Sequence, residues 1–299
     1  MRFFKDAHFN FLGARRRAYV VSGVVLLVGL ASIVIHGGFK YGVDFTGGTL
    51  YQLQFEEPTT VAELRAAVAT AGYAGAQIQR FGGTEEFLIR LASFGDTRDV
   101  PATLAASPDI GNFQVIRTEA VGPKVGGELR TRAAWAILLS FLLTLIYLAF
   151  RFEWRFGVAA IIATFHDMLL TFGFISLFNI EITLATVAAI LTIVGYSLND
   201  TIVVFDRIRE NMRKKRKESF MDTLNRSINE TLPRTVLTSG TTLVTLLALF
   251  VLGGGIIRPF AFVLMLGVVI GTYSSIFVAS PALLEIEERR SARERARTR

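Results

Sequence analysis

The chain has no cysteine among its 299 residues, which excludes thiolate metal sites, disulfide scaffolds and redox dithiols. It has no G-x-x-x-x-G-K-S/T stretch either, so it does not carry its own ATP motor. No H-E-x-x-H, no paired catalytic aspartate motif and no serine with a matched base is present, which argues against an intramembrane hydrolase. An enzyme is therefore not expected, nor a cofactor or a metal. Charge is scarce too: 19% of residues are charged, where a soluble domain carries about 25%. What is abundant is apolar. Hydrophobic residues make up 52% and the mean hydropathy is +0.46, the signature of a membrane protein. The net charge of +7 and pI near 9.9 invite a nucleic-acid reading. The basic residues sit at the ends of apolar runs rather than in a patch interleaved with aromatics, so no nucleic-acid partner is expected.

Six stretches have the roughly 17–25 mostly apolar residues that a membrane helix needs: 18–35, 133–150, 156–178, 182–205, 235–252 and 259–284. Arg15, Arg16 and Arg17 ahead of the first resemble a leader peptide. That reading ranks second, because the run is long and no small-x-small cleavage site follows. Lys and Arg in the short loops set the orientation. Five precede the first span, two lie in 151–155, nine between 206 and 235, and six follow 284. The opposite short loops hold one, Arg258. Both termini are expected in the cytoplasm. The division that follows is a basic N-terminus (1–17), a first span (18–36), an external domain (37–132), spans two to six (133–284) with a cytoplasmic basic loop (206–234), and a basic tail (285–299).

Residues 37–132 are too long and too patterned for a loop. Strands are expected at 50–55, 76–81, 87–91 and 113–118, and helices at 60–72 and 100–106, with a hairpin turn at Gly82-Gly83. The order β-α-β-β-α-β points to an α+β, ferredoxin-like sandwich, a fold that by itself implies no function. Its eleven acidic and nine basic residues argue against a strongly charged partner.

Charged residues inside a span cost about 2.5–3.5 kcal/mol each, and persist where they face the protein interior and act there. Three such titratable residues lie within the spans, His166, Asp167 and Asp200, and Arg234 stands at the mouth of the fifth. Asp167 is mid-span, while Asp200 lies roughly 7–8 Å inside the end of its own span at 1.5 Å per residue. Helical spacing groups Thr164, Asp167 and Thr171 on one face. It does the same for Thr192, Tyr196, Asn199 and Asp200, and for Arg234, Thr238, Thr241, Thr242 and Thr245. The expectation is a polar seam between spans three, four and five, with an Asp200–Arg234 pair. That pair is either a register-fixing ion pair or a proton switch, and stereochemistry alone divides the two evenly. For His166 a hydrogen-bonded packing role is the favoured reading. Gly267 and Gly271 form a G-x-x-x-G, a helix-packing motif common by chance. Phe220, Leu224, Ile228 and Leu232 recur every four residues after the basic stretch 213–217. They suggest an interfacial helix on membrane lipid, ahead of a calmodulin-type target.

Three motifs carry a resemblance. Asp44-Phe45-Thr46-Gly47-Gly48-Thr49, just after the first span, is similar to the signature of the bacterial SecD/SecF family. G-P-K-V-G at 122–126 and Y-S-L-N-D-T-I-V-V-F-D-R-I-R-E-N at 196–211 resemble one branch of it, as does the plan of six spans with one external domain. The long run is highly specific and the likeness covers nearly the whole chain. It implies an all-α six-helix membrane bundle, one half of a resistance-nodulation-division transporter core, with an inserted α+β domain. It implies pairing with SecD, which supplies the other half, in the bacterial inner membrane. Association with the SecYEG channel near SecA and a YidC-type insertase follows, with protons driving late export of a preprotein. In that family the Asp of the Asn-Asp pair and the Arg opening the fifth span are implicated in proton coupling, and these fall on Asp200, beside Asn199, and Arg234. His166-Asp167 also resembles a family pattern. The presence of one set of spans, where such transporters have two pseudo-symmetric halves, independently requires a partner. The alternatives are a proton-coupled small-molecule or lipid exporter on the same fold, and a non-coupling scaffold for SecD.

Overall fold

The computed structural model describes residues 8–80, 85–91, 100–107, 110–214 and 218–297. Among them, six helical segments are long and apolar enough to cross a bilayer. The first comprises a 3-10 turn at Leu12–Ala14 and α1 (Arg15–Ile35); a short helix, α2 (Val43–Thr46), follows it. The inserted domain then runs β1 (Gly48–Phe55), α3 (Val61–Thr70), β2 (Gln77–Arg80), β3 (Glu86–Leu91), α4 (Val100–Ala105) and β4 (Phe113–Val121). The remaining spans are α5 (Pro123–Arg151), α6 (Trp154–Leu177), α7 (Leu184–Arg213), α8 (Phe220–Leu252), and a last segment made of α9 (Gly254–Ser274), a π-helical turn (Ser275–Ala279) and α10 (Ser280–Arg297).

The sheet order is β2-β3-β1-β4 with antiparallel pairings, the ferredoxin-like arrangement expected from β-α-β-β-α-β. Alternation along the strands divides its two faces. Leu53 and Phe55 of β1 and Phe87 and Ile89 of β3 pack with Leu64, Val68 and Leu104 of the two helices. Leu50, Gln52, Leu88 and Arg90 fall on the other face, which turns toward the bundle. A capping box starts α3: the Glu63 amide donates to Thr60 Oγ1 at 3.2 Å, and the Thr60 amide donates to Glu63 Oε2 at 2.9 Å. The expected turn at Gly82-Gly83 lies outside the described residues.

Two helices start ten or more residues ahead of their apolar runs. α5 begins at Pro123, ten residues before the expected span, because proline is preorganised for the first helical position and needs no N–H partner there. α8 begins at Phe220 and passes through Pro233 to Leu252, so the interfacial helix expected at 220–232 is instead the first third of the fifth span. Leu224, Ile228 and Leu232 are buried with Phe205 and Ile208, not presented to lipid. A four-residue repeat marks an apolar face but does not say whether protein or membrane covers it. Hydrogen bonds settle the matter here. Asn211 Nδ2 donates to Ser227 Oγ at 3.0 Å, and the Leu12 amide donates to Asn225 Oδ1 at 2.9 Å.

The G-x-x-x-G of the last span packs on α7. A Cβ at Gly267 would stand 2.2 Å from the Ile193 side chain, and one at Gly271 would stand 3.0 Å from Ser197 Cα. That close approach brings the next turn of α9 against the middle of α6 and α7.

Candidate functional site

Asp167 is 1% exposed and is the hub of the polar interior. Ser274 at the end of α9 donates to its Oδ2 at 2.6 Å, and Ser197 of α7 donates to the same oxygen in a closer contact. His166 Nδ1 stands 2.9 Å from the other oxygen. The imidazole is engaged at both nitrogens, since Nε2 lies 3.1 Å from Ser22 Oγ on α1. Ser22 in turn lies 3.0 Å from Tyr273 Oη, which donates to the Ala18 carbonyl at 2.9 Å. One line of proton-bearing groups thus runs from α9 and α7 through α6 to α1. The π-helical turn starts one residue after Ser274, and such turns recur at functional sites.

The expected seam between spans three, four and five is built as two separate groups, one at Asp167 and one where Tyr196 and Asp200 of α7 meet Ser239 of α8. Asp167 is served directly by α7 and α9, and through His166 by α1, but not by α8. The threonines that seemed to need inward partners bond their own helix: Thr171 to the Asp167 carbonyl at 2.8 Å, Thr192 to Ala188 at 2.8 Å, Thr245 to Thr241 at 3.1 Å. A hydroxyl that reaches the carbonyl four residues back needs no partner on another helix, so a threonine stripe carries no direction. Thr192, Asn199, Arg234, Thr238, Thr241 and Thr245 are all exposed, forming an open polar face on α7 and α8.

Asp200 sits behind that face and is 3% exposed. Its polar neighbours are the Ser239 hydroxyl of α8, the Thr272 hydroxyl of α9 and the charge of Arg234. Ser239 and Thr272 are 2.7 Å apart. Asp200 Oδ2 is buried with no hydrogen-bond partner among the described residues. The expected Asp200–Arg234 ion pair is likewise not closed: no such contact within 4.0 Å occurs among the described residues. The two groups interact through space, one buried and one on the open face. A register-fixing salt bridge is therefore not what holds α7 to α8.

Asp44-Phe45-Thr46-Gly47-Gly48-Thr49 forms the joint between bundle and inserted domain. Asp44 Oδ2 accepts the Leu184 amide at 2.8 Å, at the first residue of α7. A carboxylate there also meets the positive end of the helix dipole. Burial lowers the pKa of the neighbouring Arg117 guanidinium, and the Asp44 charge opposes that shift. Phe45 is buried in the bundle, and Thr46 Oγ1 donates to the Gly42 carbonyl at 3.1 Å. Gly47 has φ +74, and a Cβ on it would stand 2.8 Å from Pro123 Cα, so the motif interlocks with G-P-K-V-G at the start of α5. Gly48 and Thr49 begin β1. Beside this joint the Gly42 amide donates to Ile182 O and the Ile182 amide to Lys40 O, both at 2.8 Å. Arg90 of β3 forms a close ion pair with Glu181 in the same loop. The domain is thus tied to the start of the helix that carries Asp200, and not only to α5.

Sequence reasoning picked out the carboxylates and missed the hydroxyls that surround them. Ser22, Ser197, Ser239, Thr272 and Ser274 cost little in an apolar helix, so hydropathy passes over them.

Comparison with known proteins agrees with this architecture. The family model "Protein export membrane protein SecD/SecF, C-terminal" matches residues 102–289, and the SecD/SecF GG motif matches 33–59. Protein translocase subunit SecF of Gemmatimonas aurantiaca is 49% identical over 97% of this chain and 90% of its own length. The Rhodothermus marinus protein of the same name is 42% identical over 100% and 99%. A crystal structure of SecDF from Thermus thermophilus, described as a translocon-associated membrane protein, superposes with a TM-score of 0.86 at 41% identity. It is covered over 96% of this chain but only 40% of the solved one. SecDF in a super-membrane-facing form matches with a TM-score of 0.71 at 42% identity.

Proposed function

Because this chain belongs to the SecD/SecF family of protein-export membrane proteins, we propose that it is an ancillary translocase subunit whose spans couple proton entry to movement of the inserted domain. One observation carries the coupling. Asp200 is buried with an unpartnered carboxyl oxygen, directly behind an open polar face that bears the Arg234 cation. SecD covers that face, contributing the other half of a two-fold core; the fused Thermus SecDF chain, of which this chain matches 40%, supports that partnership. Asn199 faces the partner half. The complex works beside SecYEG with a YidC-type insertase nearby, on a polypeptide that SecA has already begun to move. Both termini lie in the cytoplasm of a bacterial cell and the inserted domain outside it, a reading that the loop-charge count supports.

A proton arriving at Asp200 cancels its attraction to Arg234, and α7 and α8 repack. α7 then moves the domain through Asp44 and Glu181 at its first turn. Asp167 and His166, on their hydrogen-bonded line to α1, are the second group able to pass a proton. A potential of 100 mV supplies about 2.3 kcal/mol per charge, enough for one or two protons to drive such a swing. The two solved SecDF structures match this chain at nearly equal identity yet with TM-scores of 0.86 and 0.71, which supports more than one arrangement of the fold in this family.

The test is preprotein export into inverted membrane vesicles carrying Asp200→Asn with SecD. Proton-driven stimulation is expected to vanish, and stimulation equal to the unmutated protein would sink the proposal. Full function in a variant combining Asp200→Arg with Arg234→Asp would favour a scaffold instead.

A further inference from the structure

Where the N-terminal end of α1 meets α6 and α10 lies a crevice of about 220 Å³ that the mechanism above does not use. Ile162 of α6, Val278 of the π-helical turn, and Ala282 and Ile286 of α10 form its apolar part. Tyr19, Glu285 and Arg289 supply the polar remainder. Ile162 and Arg289 are exposed, so the crevice opens sideways from the bundle. On the last segment its lining residues follow the three- and four-residue spacing of one helical face. From Val278 to Arg289 that face grades from apolar to charged over roughly 16 Å, at 1.5 Å per residue.

Shape narrows the occupant. Tyr273 lies 3.0 Å from Ser22 of α1, and a Cβ on Gly29 would stand 2.8 Å from Gly173 Cα of α6. Beyond its first two turns α1 is therefore sealed against its neighbours, and the crevice is a dead end. A helix of a partner crosses the whole bilayer and does not fit a dead end, whereas a lipid occupies one leaflet. The volume is below the roughly 300–1,000 Å³ of a small-molecule site, as suits a groove gripping one end of a longer molecule. Charge then selects the headgroup. The Tyr19 hydroxyl neighbours the Glu285 carboxylate, with Arg15 and Glu288 in electrostatic range. Arg289 stands one helical turn beyond Glu285, and the two close no ion pair within 4.0 Å among the described residues. Acids and bases are balanced here, so a headgroup of one sign meets repulsion. A zwitterion with a phosphate and a primary ammonium answers both: Arg289 donates to the phosphate, while Glu285 and Tyr19 Oη accept from the ammonium. A trimethylammonium has no N–H to give and is best held over aromatic faces.

We infer that this crevice is a binding site for one phosphatidylethanolamine of the adjoining leaflet. Its phosphate rests on Arg289, its ammonium on Glu285 and Tyr19, and the start of one acyl chain along Ile162, Val278 and Ala282. The site does not depend on the export function proposed above, since it requires only that the helices lie in a bilayer. Its position has a consequence. Ile162 is one helical turn before His166, whose Nε2 lies 3.1 Å from Ser22 Oγ. An occupant therefore braces α1 beside the contact that completes the line from Asp167.

The experiment places a photoreactive phenylalanine at Ile162, exposed and lining the crevice, in the full chain assembled with SecD. Ile146, exposed near the same end of the bundle on α5, carries the same group as control. Nanodiscs hold phosphatidylethanolamine, phosphatidylcholine and phosphatidylglycerol in equal parts with identical chains, and lipid adducts are identified by mass spectrometry after irradiation. Phosphatidylethanolamine should be enriched roughly fivefold over each of the others at position 162, the yield of one retained charge-assisted hydrogen bond at a wet interface. Position 146 should report the bulk proportions. Glu285→Gln should bring position 162 close to bulk, and Arg213→Gln, which removes a charge at the same end of the bundle away from the crevice, should not. Copurification with SecD checks assembly, and Tyr19→Phe, which keeps the ring, gives the same reading if Glu285→Gln does not assemble. Excess soluble phosphoethanolamine should leave the enrichment intact; its loss would overturn a lipid as the occupant. Bulk proportions at position 162, enrichment of either other lipid, adducts with protein alone, or no adduct where position 146 reacts would each overturn the inference. So would an enrichment that an assembled Glu285→Gln or Tyr19→Phe complex retains in full.

Discussion

Replacing Asp44 with alanine should free the first turn of α7 while leaving the bundle folded. The carboxylate accepts the Leu184 amide at 2.8 Å, from outside the helix and at its N-terminal end. Losing a side-chain acceptor at a helix start costs about 0.5–2 kcal/mol, of which the charge–dipole part is about 0.3–1 kcal/mol. The rest of the joint stays: the Gly42 and Ile182 backbone bonds do not depend on this side chain. A loss of about 1–2 kcal/mol in local opening corresponds to roughly a five- to thirtyfold change in equilibrium. Amide hydrogen exchange across 182–186, measured on the SecD complex in nanodiscs, should accelerate by that factor in Asp44→Ala. Asp44→Asn keeps an acceptor and loses only the charge, so roughly two- to fivefold is expected. Proton-driven export should fall in the same order, alanine below asparagine. Unchanged exchange in the alanine variant, or asparagine worse than alanine, would refute the idea that this carboxylate holds the domain to the helix.

Gly271→Val should lower the thermal stability of the detergent-solubilised chain by about 1–3 kcal/mol, because the added methyls meet Ser197 backbone atoms only 3.0 Å from the new Cβ. A thermal melt equal to the unmutated chain would refute it. Gly195→Leu makes the opposite contrast: nothing lies within 4 Å of a Cβ there, so the isolated chain should melt normally while copurification with SecD is lost. Retained copurification would place the partner on another face. In the inserted domain, Thr60 holds the Glu63 carboxyl below its ordinary 4.5, by its backbone N–H first and its hydroxyl second. A depressed folded pKa means the cap's contribution is complete above 4.5 and is lost as pH falls through the lower folded value. Exchange protection of α3 should therefore weaken on that acid side, and less so in Thr60→Ala, where part of the interaction is already gone.

Long-period features of this molecule were legible because a single force sets each of them. Desolvation of about twenty residues at a time marked the spans, two-residue alternation marked β1, and the hairpin reading paired β2 with β3. Buried carboxylates drew attention to Asp167 and Asp200 because charge in a span is costly. Direction was not legible. Thr192 and Thr245 looked like members of an inward seam, yet each satisfies itself on its own backbone and stands on the outer face. Leu224 and Ile228 looked lipid-facing and are core. Serines that complete the Asp167 site were invisible, since a hydroxyl costs an apolar helix almost nothing.

By itself, then, the amino-acid order determined how many helical segments are long and apolar enough to cross a membrane, that an α+β domain follows the first of them, and which ionisable groups fall within them. Each of these depends on transfer between water and an apolar phase, which is a property of short stretches of chain. Tertiary structure alone decided that Asp167 is shared by α6, α7 and α9, that Asp200 lies buried behind the exposed Arg234 without closing a pair, and that Asp44 caps a helix 140 residues away. Those outcomes depend on the rotation and separation of whole helices, set by contacts such as Gly271 on Ser197, and no local pattern encodes an angle between two helices.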